Sequence, residues 1–330
     1  MSVTRKILAG LLALSLAPGT CVRSELPEPD YTSPVKITRL DVRGLKAGPL
    51  VLEGAWELAS ENDHFGGYSA LVQWKPGVLL AANDAGRLMK LPRPDGPAGE
   101  IALEQFLAFE RVDKTRVDLE SLTNDPATGR VWAGLEWSQE IIRFDPDLKR
   151  ERQYRPQAMK DWGSNSGPES LVRLPDGRFI VIEERRRGDG HHNALLFPGD
   201  PVAGQLPVPF VFAGREGYRP ADAALLPDGR VVVLLRGFEL GLPPRFPVML
   251  ATFVPSRIGE DKVLASQFLA QIDEPLPSEN FEGVTAIAES DGSWSLWLIS
   301  DDNFASYQRT LLLKLSWQPD GRRARQKARE

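Results

Sequence analysis

Acidic residues stand at the same point of four similar stretches of this chain: Glu120 before Ser-Leu-Thr, Glu169 before Ser-Leu-Val, Asp222 before Ala-Ala-Leu and Glu282 before Gly-Val-Thr. A fifth stretch carries Tyr68 at that point, before Ser-Ala-Leu, and the five starts lie 52, 49, 53 and 60 residues apart. The plain role of one such acid is to cap a strand by accepting backbone N–H groups. The same charge at the same point of repeat after repeat suggests more. Carboxylates gathered within a few ångströms repel and raise one another's pKa. A divalent cation removes that penalty, and ligands that are all oxygen favour Ca²⁺ or Mg²⁺ over softer metals.

The elements around these acids recur as well. Each stretch runs into a turn, at Lys75-Pro-Gly, Asp125-Pro-Ala-Thr-Gly, Pro175-Asp-Gly, Pro227-Asp-Gly and Ser290-Asp-Gly-Ser. Each turn opens a strongly apolar segment: VLLAAND, VWAGLEW, FIVIEER, VVVLLRG and LWLISDD. Two strand-like runs about such a turn predict a hairpin. A repeat of this length suits a four-stranded blade. The fold expected is an all-β propeller of four-stranded antiparallel blades, with five repeats legible and a sixth, more degenerate one near the N-terminus left open. Third and fourth strands are expected at Asn193–Phe197 and Val208–Phe212, then at Phe246–Leu250 and Val263–Leu269. After the last hairpin only Thr310–Trp317 remains, so an N-terminal strand, Val35–Leu40 or Val51–Trp56, is expected to close the final blade. Lys149–Asp161 is polar, holds Pro156 and reads as loop or outer strand.

In an antiparallel hairpin the first residue of one strand faces the last of the other. Counting from the turns sets Glu169 opposite Glu183 or Glu184, Glu120 near Glu136, Asp222 near Arg236, and Glu282 near Asp301 or Asp302. Asn83-Asp84 lies opposite Tyr68. These groups converge at one mouth of the central channel if all the first strands run the same way. Expected metal ligands are Glu120, Glu169, Asp222, Glu282, Asp84, Glu184 and Asp302. Glu169, where unligated, would act as base, and Arg87 and Arg236 would grip an anion. His64, beside Gly66-Gly67, reads as a general acid or as a plain loop residue. His191-His192 reads as exposed loop.

Net charge is −5 with a pI near 5.5, and no basic patch marks a nucleic-acid surface. No Gly-x-Ser-x-Gly elbow, Walker motif or dinucleotide fingerprint is present. Arg5 and Lys6 precede an apolar run from Ile7 to Ala17, too short to span a bilayer comfortably, then small residues. Residues 1–20 therefore read as a signal peptide, 21–34 as a linker, 35–320 as the propeller and 321–330 as a charged tail. Cys21, the only cysteine, excludes an internal disulfide and is a weak candidate for lipidation after Pro18-Gly19-Thr20. A periplasmic or secreted monomer with no transmembrane span in the mature chain is expected.

The same residues carry a family resemblance. Phe65-Gly-Gly-Tyr-Ser-Ala-Leu71, Asn83-Asp84-x-Gly86-Arg87, Asp118-Leu-Glu-Ser-Leu122, Gly167-Pro-Glu-Ser-Leu171, Tyr218-Arg-Pro-Ala-Asp222, Asn280-Phe-Glu-Gly-Val284 and Ser300-Asp-Asp-Asn303 occur in order. Over residues 60–315 the chain resembles the phytase-like family called "esterase-like activity of phytase". The resemblance implies a propeller, phosphoester hydrolysis, and Glu120, Glu169, Asp222 and Glu282 as site acids. Two readings stay open: a Ca²⁺-dependent phosphoesterase with a small-molecule ligand, and a non-catalytic, Ca²⁺-stabilised binding propeller of the cell envelope.

Overall fold

Each expected hairpin is present in the computed structural model, which describes residues 30–107, 117–163, 166–260 and 262–318. The inner strands are Tyr68–Lys75, Leu119–Asn124, Pro168–Arg173, Tyr218–Leu225 and Phe281–Ala288. Each pairs antiparallel with a buried second strand: Val78–Asn83, Val131–Leu135, Phe179–Arg186, Val231–Gly237 and Trp294–Ser300. Third and fourth strands complete five sheets, numbered here as blades 1 to 5 from the N-terminal hairpin. Lys149–Asp161 holds the outer strand Arg150–Tyr154 of blade 2 and a single 3₁₀ turn, Gln157–Met159. The leader, the tail and all but the end of the linker lie outside the described residues.

Sheets hydrophobic on both faces must bury both, and a ring does so by stacking blade on blade. Among the described residues five apolar clusters occur, each shared by two neighbouring blades. Trp132 of blade 2 meets Phe179 of blade 3 edge-on at 5.0 Å, while Trp56 and Trp297 stack within blade 5 at 5.6 Å. One cluster joins Ile287 and Ile299 of blade 5 to Leu71 and Leu79 of blade 1, so the ring of contacts runs right round.

Two connections differ from the sequence reading. Val263–Leu269 is not one strand of blade 4. Val263–Ala265 pairs parallel with Val208–Ala213 of blade 3, and after Ser266 the strand Gln267–Ile272 pairs with Val248–Phe253 of blade 4. One segment thus covers the open edge of one sheet before completing the next. At the N-terminus both candidate segments are used. Leu50–Ser60 pairs with Thr310–Trp317, and Val35–Arg39 pairs with the outer side of Leu50–Ser60.

Every inner strand carries a β-bulge near its start. Tyr68 pairs with Asn83 and Ala70 with Ala82, which leaves Ser69 as the extra residue. The extra residues of the next blades are Glu120, Glu169, Ala221 and Glu282. A bulge re-aims the side chain it carries. Side chains at and just after the bulges reach the neighbouring blade: the bulge residue Ser69 donates through Oγ to Leu119 O at 2.6 Å, and Ser121, which follows its bulge, donates through Oγ to Pro168 O.

Asp222 holds this post-bulge position in blade 4, which corrects its expected place among the mouth acids. Its Oδ1 accepts from its neighbour Ala223 N at 2.8 Å and its Oδ2 from Val284 N of blade 5 at 2.7 Å, with Leu71 N of blade 1 also donating to the carboxylate. Burial pushes its carboxyl well above the usual range, against the pull of these three donors. The side chain is fully buried and fastens three blades near the axis. Asp222→Ala strands these buried N–H groups, and a loss of about 2–5 kcal/mol is expected in urea unfolding. Asp222→Asn, which keeps one acceptor, is expected to lose less. An Ala variant as stable as the parent would remove this role.

Candidate active site at one channel mouth

The bulges and the ends of the second strands deliver their side chains to one place. A cavity of about 390 Å³ opens there, lined by Ser69, Glu120, Glu169 and Glu282 from four of the five bulges. Opposite them stand Asp84, Glu136, Glu184, Arg236 and Asp301, each within two residues of the end of a second strand. Seven carboxylates and two guanidinium groups, those of Arg219 and Arg236, therefore share one small volume.

Two overlapping carboxylate groups stand out. Oxygens of Asp118, Glu120 and Glu136 lie within 4.8 Å of one another, and so do those of Glu136, Glu169 and Glu184. Glu136 belongs to both, hydrogen-bonded through its side chain to Asp118 and to Glu169. Two carboxyl groups can share a hydrogen bond only when one carries a proton. Burial, then the contact with Asp118, pushes Glu136 up to about 8. Burial also raises Glu120 and Glu169 well above the ordinary range. The charges of Glu282 and Asp118 add to it at Glu120, those of Glu120 and Glu184 at Glu169. Asp301 is pushed up to about 8 by burial and by the charge of Glu282.

Arg236 supplies the countercharge on the far side. Its Nη1 donates to Glu282 Oε1 and, at 3.2 Å, to Asn280 Oδ1; its Nη2 reaches Glu184 Oε1 at 3.4 Å. Burial works against the guanidinium charge, yet Glu282, Glu184, Glu169 and Glu120 together raise its pKa. Asn280 Nδ2 donates to the same Glu282 oxygen at 2.8 Å, which fixes that carboxylate. Arg219 Nη1 donates to Glu184 Oε2 at 3.2 Å from a more exposed position.

Of the residues singled out in the sequence, Glu120, Glu169, Glu282, Asp84, Glu184 and Arg236 meet at this cavity. Asp222, Asp302, Arg87 and His64 are not among its lining residues. Asp302 instead accepts from Gly67 N at 3.0 Å, Phe304 N at 3.0 Å and Thr310 Oγ1 at 2.8 Å. It fastens the Gly66-Gly67 entrance of blade 1 to blade 5. Gly66 has φ +113° there, and a Cβ would run into the Asp302 carboxylate. The adjacent Asp301 faces the cavity in its place. Arg87 begins a third strand, set back from the axis, and its N–H donates to Asn83 Oδ1 at 2.8 Å. His64 is buried ahead of the first inner strand, its N–H bonded to Asn62 Oδ1 at 3.0 Å. His192 is a buried strand residue, not a loop residue.

Asp118 and Glu136 join the acids without having been chosen as ligands. Asp118 sits immediately ahead of the strand Leu119–Asn124, two residues before the bulge residue Glu120. Glu136 is the strand-end partner that hairpin counting places near Glu120.

No curated protein matches the chain. Solved structures similar to it include a chain of a nidogen/laminin complex, at 9% identity and TM-score 0.45 over 82% of this chain and 86% of that one. Another is Myxococcus xanthus glutaminyl cyclase, at 14% identity and TM-score 0.43 over 76% and 90%. A hypothetical protein from Leishmania major aligns at 13% identity and TM-score 0.41 over 93% and 94%. The model of the phytase-like family, described as esterase-like activity of phytase, matches residues 63–304, and the chain, with its ring of bulge-borne acids, belongs to that family.

Proposed function

We propose that this propeller is a metal-dependent phosphoester hydrolase that works at the acidic mouth. The observation that carries the reading is the meeting of crowded carboxylates and two arginines at one cavity of about 390 Å³. The donor set suits a hard cation: oxygen only, preformed on rigid strands, and protonated in part when no cation balances it. Asp118, Glu120, Glu136, Glu169 and Glu184 would hold the ion, and Ca²⁺ is the candidate. Bound there, such an ion would polarise a phosphoryl oxygen and lower the pKa of a water.

The remaining steps fall to the chain's own side chains. Arg236 and Arg219 stand where they can receive phosphoryl oxygens, each fixed in direction by its carboxylate partner. Asp301, kept protonated near neutral pH, can hand a proton to the leaving alcohol oxygen. Glu169, where it is not engaged with the ion, can take one from the attacking water. Among the described residues no helix is long and apolar enough to cross a membrane. Action outside the cytoplasm, in the periplasm or as a secreted monomer, is part of the proposal and rests on the leader-like residues 1–20.

Glu169→Gln is expected to lower Ca²⁺-dependent hydrolysis of simple phosphomonoesters and diesters by about 10²–10³-fold. Undiminished turnover in that variant would remove the acid ring from the mechanism. Arg236→Gln should lower kcat/KM while Ca²⁺ affinity, read by calorimetry, stays equal or rises, because a cation leaves the side of the acids. A fall in Ca²⁺ affinity would mean that Arg236 builds the metal site rather than gripping the ester. Should Ca²⁺ raise the melting temperature while a broad ester panel stays intact, the protein is a binding propeller.

The raised acids also set the sign of a pH effect. Between the ordinary carboxylate range and about 8, the folded metal-free protein binds more protons than the unfolded chain. Stability therefore falls as pH rises through that window. Thermal unfolding in EDTA is expected to show Tm dropping from pH 5 to pH 9, and added Ca²⁺ to restore it most at the high end. A flat or rising EDTA profile contradicts the proposed charge crowding.

A further inference from the structure

Beside the acidic cavity lies a cleft of about 420 Å³ whose walls include Arg186, Arg219, Arg236, Phe238 and Phe246. Glu184, Arg219 and Arg236 line both spaces, so a ligand held by the two shared arginines reaches into each. The two halves differ in character. The cavity is dominated by carboxylates, whereas three guanidinium groups face a single carboxylate in the cleft. Phe238 is 62% exposed, although a large apolar side chain gains by leaving water.

That ring is held in place. The backbone after it is pinned by a bridge in which Glu239 N donates to Arg245 O at 2.9 Å and Arg245 N to Glu239 O at 3.1 Å. Phe246, returning on the other side of the loop, packs against Phe238 at 5.7 Å between ring centroids, tilted by 60°. An aromatic ledge kept rigid while largely uncovered is pre-organised to receive a flat apolar group at small entropic cost. The guanidinium groups alongside suit an anion attached to that group.

We propose that this cleft is the subsite for an aromatic alcohol portion of the ester, so that the substrate class is an aryl phosphoester rather than a densely phosphorylated polyol. The phosphoryl group lies at Arg219 and Arg236, on the border of the two spaces, and the aromatic ring lies on Phe238 and Phe246. A polyol bearing many phosphates would set charge against this ledge and leave most of its anions without a cation. The inference rests on the phosphoester reading above.

Phenylphosphonate and methylphosphonate, whose P–C bonds are not hydrolysed, test it by calorimetry with Ca²⁺ present. The parent is expected to bind phenylphosphonate about tenfold more tightly than methylphosphonate. Phe238→Ala should abolish that preference and leave methylphosphonate affinity unchanged. The side chain is exposed, so the fold should survive, and an unaltered unfolding transition checks this. Leu240→Ala, on the same loop but outside the cleft, should keep the preference. Equal binding of the two phosphonates, binding of neither, or a preference that survives Phe238→Ala each overturns the subsite. Hydrolysis without the aromatic preference would sink the subsite alone; the preference without any hydrolysis would sink the phosphoesterase alone.

Discussion

The constraint from which the rest of this molecule follows is the confinement of like charge. Seven carboxylates line one cavity, and several are buried as well as crowded. Burial and mutual repulsion both disfavour the ionised form. Three responses are open: hold protons, recruit a cation from the chain, or bind one from solution. The protein uses the first at Glu136 and Asp301 and the second at Glu184 and Glu282, where Arg236 is fixed by ion pairs. The ion pairs do not reach all the acids. Burial and neighbouring carboxylates raise Glu120 and Glu169 too, on the side of the cavity where the carboxylate oxygens converge, so there protons alone relieve the crowding. The proposed cation supplies the third response at that point.

Such an arrangement needs a scaffold that can withstand it. A flexible loop bearing these acids would spread them apart. Here each is set on a bulge or a strand end of a blade whose two faces are packed into apolar clusters. Rotation of one blade to relieve repulsion at the mouth would have to break a core shared with its neighbour. Asp222 stiffens the same ring from within, by drawing N–H groups of blades 1, 4 and 5 onto one carboxylate. Its carboxyl group is met by backbone N–H groups, while the mouth acids are left to meet one another. Identical chemistry thus serves structure at one level of the channel and the proposed catalysis at another.

Much of this was readable from residue order. Turns rich in Asp, Pro and Gly followed by apolar runs located all five inner hairpins, because turn chemistry and strand burial are local properties. Counting outward from those turns also brought Glu120 to Glu136 and Glu169 to Glu183 or Glu184, of which Glu184 is the one at the cavity. The register errors in the inner strands have one physical source, since a bulge shifts register by a residue without altering composition. Asp222 and Tyr68 matched the acids by their neighbours, yet Ala221 and Ser69 occupy the bulges. At Asp301-Asp302 the ambiguity is a different one: both lie just past the strand Trp294–Ser300, and pattern alone does not say which faces the cavity. The passage of Val263–Ile272 from blade 3 to blade 4 was illegible, because edge pairing depends on which sheet is near.

The uneven acid ring now has a physical meaning. A fully symmetric propeller mouth would bear the same residue in each blade and bind whatever sits on the axis. Ala221 in place of a fourth bulge acid, with Arg236 opposite, tilts the field from blades 2 and 3 toward blade 4. Beyond Arg236 the carboxylates give way to Arg186, Arg219 and the Phe238–Phe246 pair. Carboxylates, arginines and aromatic rings therefore follow one another from the acidic cavity into the adjoining cleft. A ligand that satisfies all three in that order must be directional itself, carrying an anionic centre between a metal-facing end and an apolar end. An ester of phosphate with an aromatic alcohol has that shape, and its scissile bond would then lie over Arg236, where the two spaces meet.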